Sequence, residues 1–199
     1  MSKGGERLGG SFQRWIDRSK IPTVRGRLRI VLSGCPGRPR FEGCVFSRRL
    51  RTIYIKRGTP NPRGVLFHEL GHLFDFRLMS HPERRLYKRL IGQRRRTWFG
   101  GVDPPGEQFA EAYALCARKR RIAGSARGRY GFRTSPRRHL GACALIRRAA
   151  GPAERPKPPK APRVVVEPTR PAGLPPAPPP KSEPPQEEDE TLLEKLLPI

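Results

Sequence analysis

The segment 62–78 constrains the fold most, because it reads as a helix that is apolar on nearly every face. Its central stretch, VLFHELGHLFD, surrounds His68, Glu69 and His72 with leucine, valine and phenylalanine. A helix that is apolar all round lies inside a protein, where polar side chains need hydrogen-bonding or metal partners. The sequence therefore predicts a buried helix from about Pro62 to Leu78 whose polar residues are satisfied from elsewhere.

The two histidines have the spacing of a metal-binding pair. They are four residues apart, so a helix places them one above the other on a single face. Two imidazoles in this arrangement can chelate one Zn²⁺, and Glu69 is placed to accept a proton from a water molecule at the open metal position. The alternative is an amphipathic helix with exposed histidines, which the apolar flanks disfavour. We predict one Zn²⁺ per chain, with His68 and His72 as ligands and Glu69 as the general base.

A third ligand is expected in the later segment EQFAEAYALCARK, which also reads as a helix. Glu107 and Glu111 are four residues apart in an otherwise apolar stretch, and only nine of the 17 acidic residues precede residue 151. We assign Glu107 as the third ligand and Glu111 as the acceptor for the outer N–H of a ligand histidine. The exchange of these two roles is the alternative. Asp75, three residues after His72, is expected either to hydrogen-bond to a ligand side chain or to have a structural role.

Other polar residues are candidates for stabilising an oxyanion. His139 in the last predicted helix is one, and Tyr113 and Tyr130 are others, because each can donate a hydrogen bond to developing negative charge. The alternative for each of these residues is a purely structural role. His81 lacks the glycine turn that accompanies a third zinc-binding histidine in some metallopeptidases, so we expect it at the surface.

The pattern of short strands followed by helices is typical of the α+β class. Alternating or β-branched stretches predict strands at 27–33, 44–47 and 51–56. A short helix is expected at 11–18. Ser80 and Glu83 predict a capping box that opens a helix ending at Gly92, and Ser135 and Pro136 open a last helix that runs to about Ala150.

Composition divides the chain near residue 150. Residues 151–199 are rich in proline and lack aromatic residues, which predicts a disordered tail. This tail carries seven basic and eight acidic groups, and the whole chain has a net charge of +25, so residues 1–150 carry +26. We predict an N-terminal arm with a short helix (1–26), a catalytic domain (27–150) and the tail (151–199). The end of the tail, EEDETLLEKLLPI, could dock on a partner or fold back on the basic residues 1–150 of the same chain.

The basic residues 1–150 predict attraction to nucleic acid or to an acidic protein. Arginines interleaved with Trp98, Phe99, Tyr130 and Phe132 suit phosphate contact and base stacking; a solvated basic surface is the alternative. The candidate nucleic-acid-binding residues are Arg94, Arg95, Arg96, Arg118, Lys119, Arg120 and Arg121.

Neither a membrane-spanning stretch nor a signal-peptide core is present in the sequence. We therefore expect a cytoplasmic protein with no membrane partner. The cysteines form no C-x-x-C pair, which argues against a zinc ribbon. Cys35 and Cys44 flank a predicted turn and could form a disulfide, but free thiols are expected in a reducing compartment.

HELGH followed by EQFAEAYA resembles the small gluzincin-type zinc metallopeptidases, in particular the ImmA/IrrE-like and the phage or actinobacterial mini-metallopeptidases. In that group the third-ligand helix reads Glu-x-x-Ala-x-x-aromatic-Ala, and Glu107, Ala110, Tyr113 and Ala114 match it in register. The resemblance covers about residues 27–120. It implies a zincin-like fold, in which a small twisted sheet lies beside the HELGH helix with a cleft between them.

The same resemblance implies hydrolysis of peptide bonds in a peptide or protein substrate. An extended substrate would pair with the strand nearest the helix, expected to be RTIYIK. Two other functions remain open from the sequence: a basic nucleic-acid-binding protein, and an inactive zincin-fold interaction module. His68, Glu69, His72 and Glu107 are all present, so nothing in the sequence favours the inactive module.

Overall fold

The computed structural model of the protein describes residues 4–151 and 164–167, with side chains from residue 10 to residue 151. The helices in this part of the chain are α1 (Gly4–Asp17), α2 (Pro62–Leu78), α3 (His81–Leu90), α4 (Pro105–Arg118) and α5 (Pro136–Ala149). The strands are β1 (Leu28–Val31), β2 (Gly43–Cys44), β3 (Thr52–Ile55), β4 (Ala126–Arg127), β5 (Arg133–Thr134) and β6 (Val164–Glu167). The fold belongs to the predicted α+β class.

The main sheet has the strand order β2–β3–β1–β6. β1 is parallel to β3 and to β6, whereas β2 is antiparallel to β3. Leu28 and Ile30 of β1 are fully buried and Arg29 between them is exposed, which is the alternation expected of a strand with one face on the core. The predicted strands are therefore present but shorter, and only Cys44 of the predicted stretch 44–47 lies in β2.

The helix boundaries follow the capping residues. Asn61 accepts a hydrogen bond from Gly64 N, with an N–O distance of 3.0 Å, and opens α2. Glu83 Oε2 lies 2.6 Å from Ser80 N in the capping box of α3. Ser135 Oγ accepts from Arg138 N in the first turn of α5. The predicted starts of α2, α3 and α5 are thereby confirmed.

α2 is the central element of the core. Every residue from Val65 to Asp75 is buried, as predicted. The helix contacts β2 and β3 on one side and α4 on the other. α1 adds Phe12 and Ile16 to the same core, so the predicted N-terminal helix is longer than expected and packs against the rest of the domain.

α2 and α4 pack in direct backbone contact at Gly71. A β-carbon on Gly71 would lie 2.8 Å from the α-carbon of Ala110 and 3.0 Å from the β-carbon of Tyr113. Any larger residue would push the helices apart, because real β-carbons do not approach other atoms so closely. This contact brings the glutamates of α4 within reach of the histidines of α2.

The segment 151–199 contributes a strand to the sheet, which differs from the prediction of a wholly disordered tail. β6 pairs with β1 in parallel, with Val165 opposite Arg29 and Val166 opposite Ile30. Three consecutive valines favour an extended strand, and this local preference outweighs the surrounding prolines. The other residues from 152 onward, including the predicted docking segment EEDETLLEKLLPI, lie outside the described residues.

All four cysteines are paired in disulfides. Cys35 is bonded to Cys44 and Cys116 to Cys143, with α-carbons 5.6 Å and 5.5 Å apart. The expectation of free thiols is therefore wrong, because the fold brings both pairs within the range that a disulfide requires. In the part of the chain that the structure describes, no helix has the length and apolar character needed to cross a membrane.

Candidate metal centre

Three side-chain atoms from α2 and α4 converge on one point. The Nε2 atoms of His68 and His72 lie 3.2 Å apart. Glu107 Oε2 lies 3.1 Å from His68 Nε2 and 3.3 Å from His72 Nε2. These atoms form a nearly equilateral triangle, and all three are of types that bind zinc.

The triangle has the dimensions of one face of a tetrahedral zinc site. With bonds of about 2.0–2.1 Å, ligand atoms around Zn²⁺ lie about 3.3–3.4 Å apart. Two ring nitrogens and a carboxylate oxygen at such distances direct their lone pairs at one another unless a cation or a proton lies among them. Three protein ligands also leave a fourth position open, as in catalytic zinc sites. The residues present therefore fit a catalytic Zn²⁺.

Glu111 supports His68 from the side opposite Glu107. Its Oε1 lies 2.9 Å from His68 Nδ1, so Nδ1–H donates to the carboxylate and Nε2 faces Glu107 and His72. Glu107 thus occupies the position predicted for the third ligand, and Glu111 the position predicted for the hydrogen-bond acceptor.

The site attracts positive charge. Burial lowers the pKa of His68, but hydrogen bonds to Glu107 and Glu111 outweigh burial and raise that pKa from 6.5 to about 10. Burial raises the pKa of Glu107, but its contacts with His68 and His72 reverse the effect and hold it well below its usual range. Carboxylates that stabilise a proton this strongly also stabilise a divalent cation in the same place.

Glu69 lies beside the ligands and under the edge of the sheet. It is only 5% exposed, and burial raises the pKa of its carboxyl, although His72 and His68 act in the opposite direction. A β-carbon on Gly43 of β2 would lie 2.9 Å from Glu69 Oε1 and 2.5 Å from Val65 Cγ1. Glycine at position 43 therefore lets the edge strand pass directly over the carboxylate.

A cavity of about 520 Å³ opens next to His68 and Glu69. Its walls are residues 40–43 leading into β2, the first half of α2, the second half of α4, and the hairpin residues 127–130. This volume lies within the range of sites that enclose a small ligand or a few side chains.

Tyr130 stands over the site from the β4–β5 hairpin. Its ring stacks on the ring of His68, with centroids 5.5 Å apart. Burial and the nearby carboxylates of Glu107 and Glu69 raise the pKa of Tyr130 to about 12. The phenol therefore keeps its proton at neutral pH and remains a hydrogen-bond donor.

The hairpin turn holds Tyr130 in this place. Tyr130 and Gly131 have φ values of 53° and 61°, and Phe132 N donates to Arg129 O over 2.9 Å. Two consecutive residues with positive φ closed by this bond form a turn of type I′. A left-handed conformation at a tyrosine is uncommon, and the turn cannot be recognised from the stretch RGRYGF without its strand pairing.

Two roles were predicted for Asp75, and its contacts match the structural one. Its carboxylate accepts from Arg84 Nε and from Trp98 Nε1, each over 2.8 Å. It does not hydrogen-bond to His72, whose Nδ1 is buried without a partner among the described residues. Asp75 therefore joins α2 to α3 and to the loop that carries Trp98.

Two residues predicted to stabilise an oxyanion lie away from the cavity. The hydroxyl of Tyr113 donates to Pro22 O over 2.9 Å. His139 is buried on α5, and its Nε2 donates to Lys119 O over 2.9 Å. These predictions are wrong because both side chains lie on the core-facing sides of their helices. Tyr130, named as a candidate together with them, is the one that reaches the cavity.

His139 also packs beside the disulfide between α4 and α5. Ligand-type atoms of Cys116, His139 and Cys143 lie within 4.8 Å of one another. The two sulfurs are bonded to each other, however, and the form of cysteine that binds a metal is the thiolate. This cluster therefore serves to join the two helices.

The predicted nucleic-acid-binding residues are exposed, and two of the four aromatic residues predicted to accompany them are held by contacts within the fold. Trp98 donates to Asp75 and packs edge-on against Tyr87. Phe132 is buried. These two rings are therefore not free to stack on a base, whereas the other two predicted aromatic residues, Phe99 and Tyr130, are exposed. The predicted basic residues lie exposed at 94–96 and 118–121, and Arg118 also borders the cavity.

Comparisons of the chain with protein-family models, curated proteins and solved structures found no match. The resemblance to gluzincin-type peptidases therefore depends on the motif residues alone.

Proposed function

We propose that this chain is a zinc-dependent metallopeptidase with a zincin-like fold. The observation that carries the proposal is the triangle of His68 Nε2, His72 Nε2 and Glu107 Oε2, with sides of 3.1–3.3 Å. The triangle lies beside the buried carboxylate of Glu69, and His68 and Glu69 border a cavity large enough for a substrate segment. Zinc-assisted hydrolysis needs metal ligands, a general base and a cavity that accepts the substrate.

A bound zinc ion supplies Lewis-acid chemistry, which polarises a carbonyl group and makes a water molecule more acidic. His68, His72 and Glu107 hold the ion, and Glu111 fixes the ring of His68. Glu69 accepts the proton of the attacking water and delivers it to the leaving amine, a task that suits a carboxyl whose pKa is raised by burial. The Tyr130 hydroxyl donates a hydrogen bond to the oxygen of the carbonyl that is attacked.

The substrate strand expected from the sequence needs correction. β3, which contains RTIYIK, lies between β2 and β1 and has no free edge. β2 has only β3 as a neighbour within the described sheet, and residues 40–43 border the cavity. An extended substrate therefore pairs with β2 in our proposal, because an edge strand offers unpaired backbone groups.

The proposal is tested by proteolysis with a matched pair of variants. The full chain loaded with zinc should cleave an unstructured protein such as casein. Glu69→Gln should keep the zinc and lose about 10²–10⁴-fold in rate, the usual contribution of a general base. Glu83→Gln is the control, because glutamine also serves in the capping box of α3, and it should keep full activity.

Equal rates for Glu69→Gln and the unchanged chain would exclude Glu69 as the base. Zinc binding without cleavage by either protein would favour the inactive interaction module.

A further inference from the structure

We infer that the cavity selects substrate segments with acidic side chains, and that Arg40, Arg118 and Arg127 determine this preference. The inference rests on the proposed peptidase function and specifies its substrate class. It goes beyond the metal site, because none of the three arginines belongs to the ligands or to the proposed catalytic residues.

Four arginines border the cavity, at positions 40, 118, 127 and 129. Arg129 is paired with Glu42, with Nη2 and Oε2 2.7 Å apart. Among the described residues, Arg40, Arg118 and Arg127 form no ion pair. Three guanidinium groups thus border a concave space without a carboxylate partner among the side chains that the structure describes.

The carboxylates in the wall of the cavity already have partners. Glu42 is paired with Arg129, and Glu111 with His68. Glu69 lies next to the candidate metal site and acts on the reacting groups in the proposed mechanism. The charge that remains available to a substrate is therefore positive, and a concave surface with one sign of charge concentrates ligands of the opposite sign.

Arg118 is the arginine whose surroundings point most directly to an anion. Its Nε donates to Ala114 O over 2.9 Å, which holds the side chain along the last turn of α4. Burial lowers its pKa; Glu111 acts in the opposite direction, and the like charge of Arg63 lowers it again. The Nε atom of Arg63 is buried and has no partner among the described residues. A carboxylate in the cavity would reduce the repulsion between these two guanidinium groups.

The whole chain is strongly basic, with a net charge of +25, so nonspecific attraction of acidic peptides must be separated from selection by the cavity. Two exposed arginines on α3, Arg85 and Arg89, provide the matched control, because they lie outside the walls of the cavity. The double variant Arg85→Gln/Arg89→Gln removes the same charge as Arg118→Gln/Arg127→Gln.

The experiment measures binding to the full chain that carries Glu69→Gln and is loaded with zinc, so that the peptide is not consumed. The probes are a fluorescent peptide rich in glutamate and its copy with glutamine at the same positions, at physiological salt. We expect the glutamate peptide to bind roughly tenfold more tightly, and Arg118→Gln/Arg127→Gln to remove most of this difference. Circular dichroism verifies that each variant is folded.

Equal binding of the two peptides would overturn the inference, and so would a preference that the cavity variant and the α3 variant reduce equally. Cleavage of casein by the chain with Glu69 intact is measured in parallel. Cleavage of casein without preferential binding of the glutamate peptide would refute the inference but not the proposed peptidase function. An arginine-dependent preference without any cleavage would support the acidic selectivity of the cavity and contradict the proposed function.

Discussion

Tyr130 shows how one strained residue can be placed for chemistry. Its φ of 53° lies in a region that costs a non-glycine residue roughly 1–2 kcal/mol. The turn that imposes this conformation also places the ring on His68 and the hydroxyl near Glu107 and Glu69. Strain at this position is therefore consistent with a role in the site.

Tyr130→Phe tests that role. The ring and its stacking on His68 are kept and only the hydroxyl is lost, so the expected result is a decrease in kcat of about 10²–10³-fold with unchanged zinc content. Steady-state kinetics on a peptide substrate measures the effect. A decrease confined to KM would show that the hydroxyl contributes to substrate binding instead.

The residues of the candidate site differ in how far the sequence could identify them. His68, His72, Glu107 and Glu111 are pairs spaced four apart on two helices, and helical periodicity alone places each pair on one face. Tyr130, Gly43 and the arginines of the cavity come from loops and a short strand. Their positions depend on tertiary packing, which no local pattern encodes.

At the scale of elements, the contact between α2 and α4 determines the distances within the site. The caps and the apolar periodicity make both helices predictable. Their separation is set by Gly71, which the sequence marks only as a glycine within HELGH. The strands are less predictable, because β2 has two residues and β6 lies in a proline-rich segment.

Gly71→Ala should destabilise the protein by about 1–3 kcal/mol, because the added methyl group overlaps Ala110 in the interface of the helices. Gly10→Ala is the control. Gly10 also lies in a helix, but a β-carbon there meets nothing within 4 Å, so the change should stabilise by about 0.5–1 kcal/mol. Urea denaturation of both variants measures the difference. Equal stabilities would contradict the close packing of α2 and α4.

At the scale of the whole molecule, the sheet draws on residues far apart in the chain. β1 lies between β3 and β6, so the folded unit extends beyond residue 150. The two disulfides tie loops and helices together in the same way over 9 and 27 residues. The expectation of free thiols assumes a reducing compartment. Disulfides persist mainly in oxidising compartments, so the two disulfides contradict that assumption.

A chain that ends at residue 151 should be less stable than one that ends at Thr169, where the first compact unit ends. Removing β6 leaves the backbone groups of β1 that face β6 without a strand partner, which we expect to cost about 2 kcal/mol and to favour aggregation through the exposed edge. The midpoints of urea denaturation of the two proteins measure the cost. Identical midpoints would show that β6 adds nothing to the fold.

The central claim is that His68, His72 and Glu107 hold a zinc ion, and elemental analysis of the purified full chain tests it most directly. After dialysis against a weak chelator, we expect one zinc per chain in the unchanged protein and in His81→Ala, which alters an exposed histidine outside the site. His72→Ala should lose the metal while it remains folded. A folded, unchanged chain without zinc, or zinc fully retained by His72→Ala, would contradict the account.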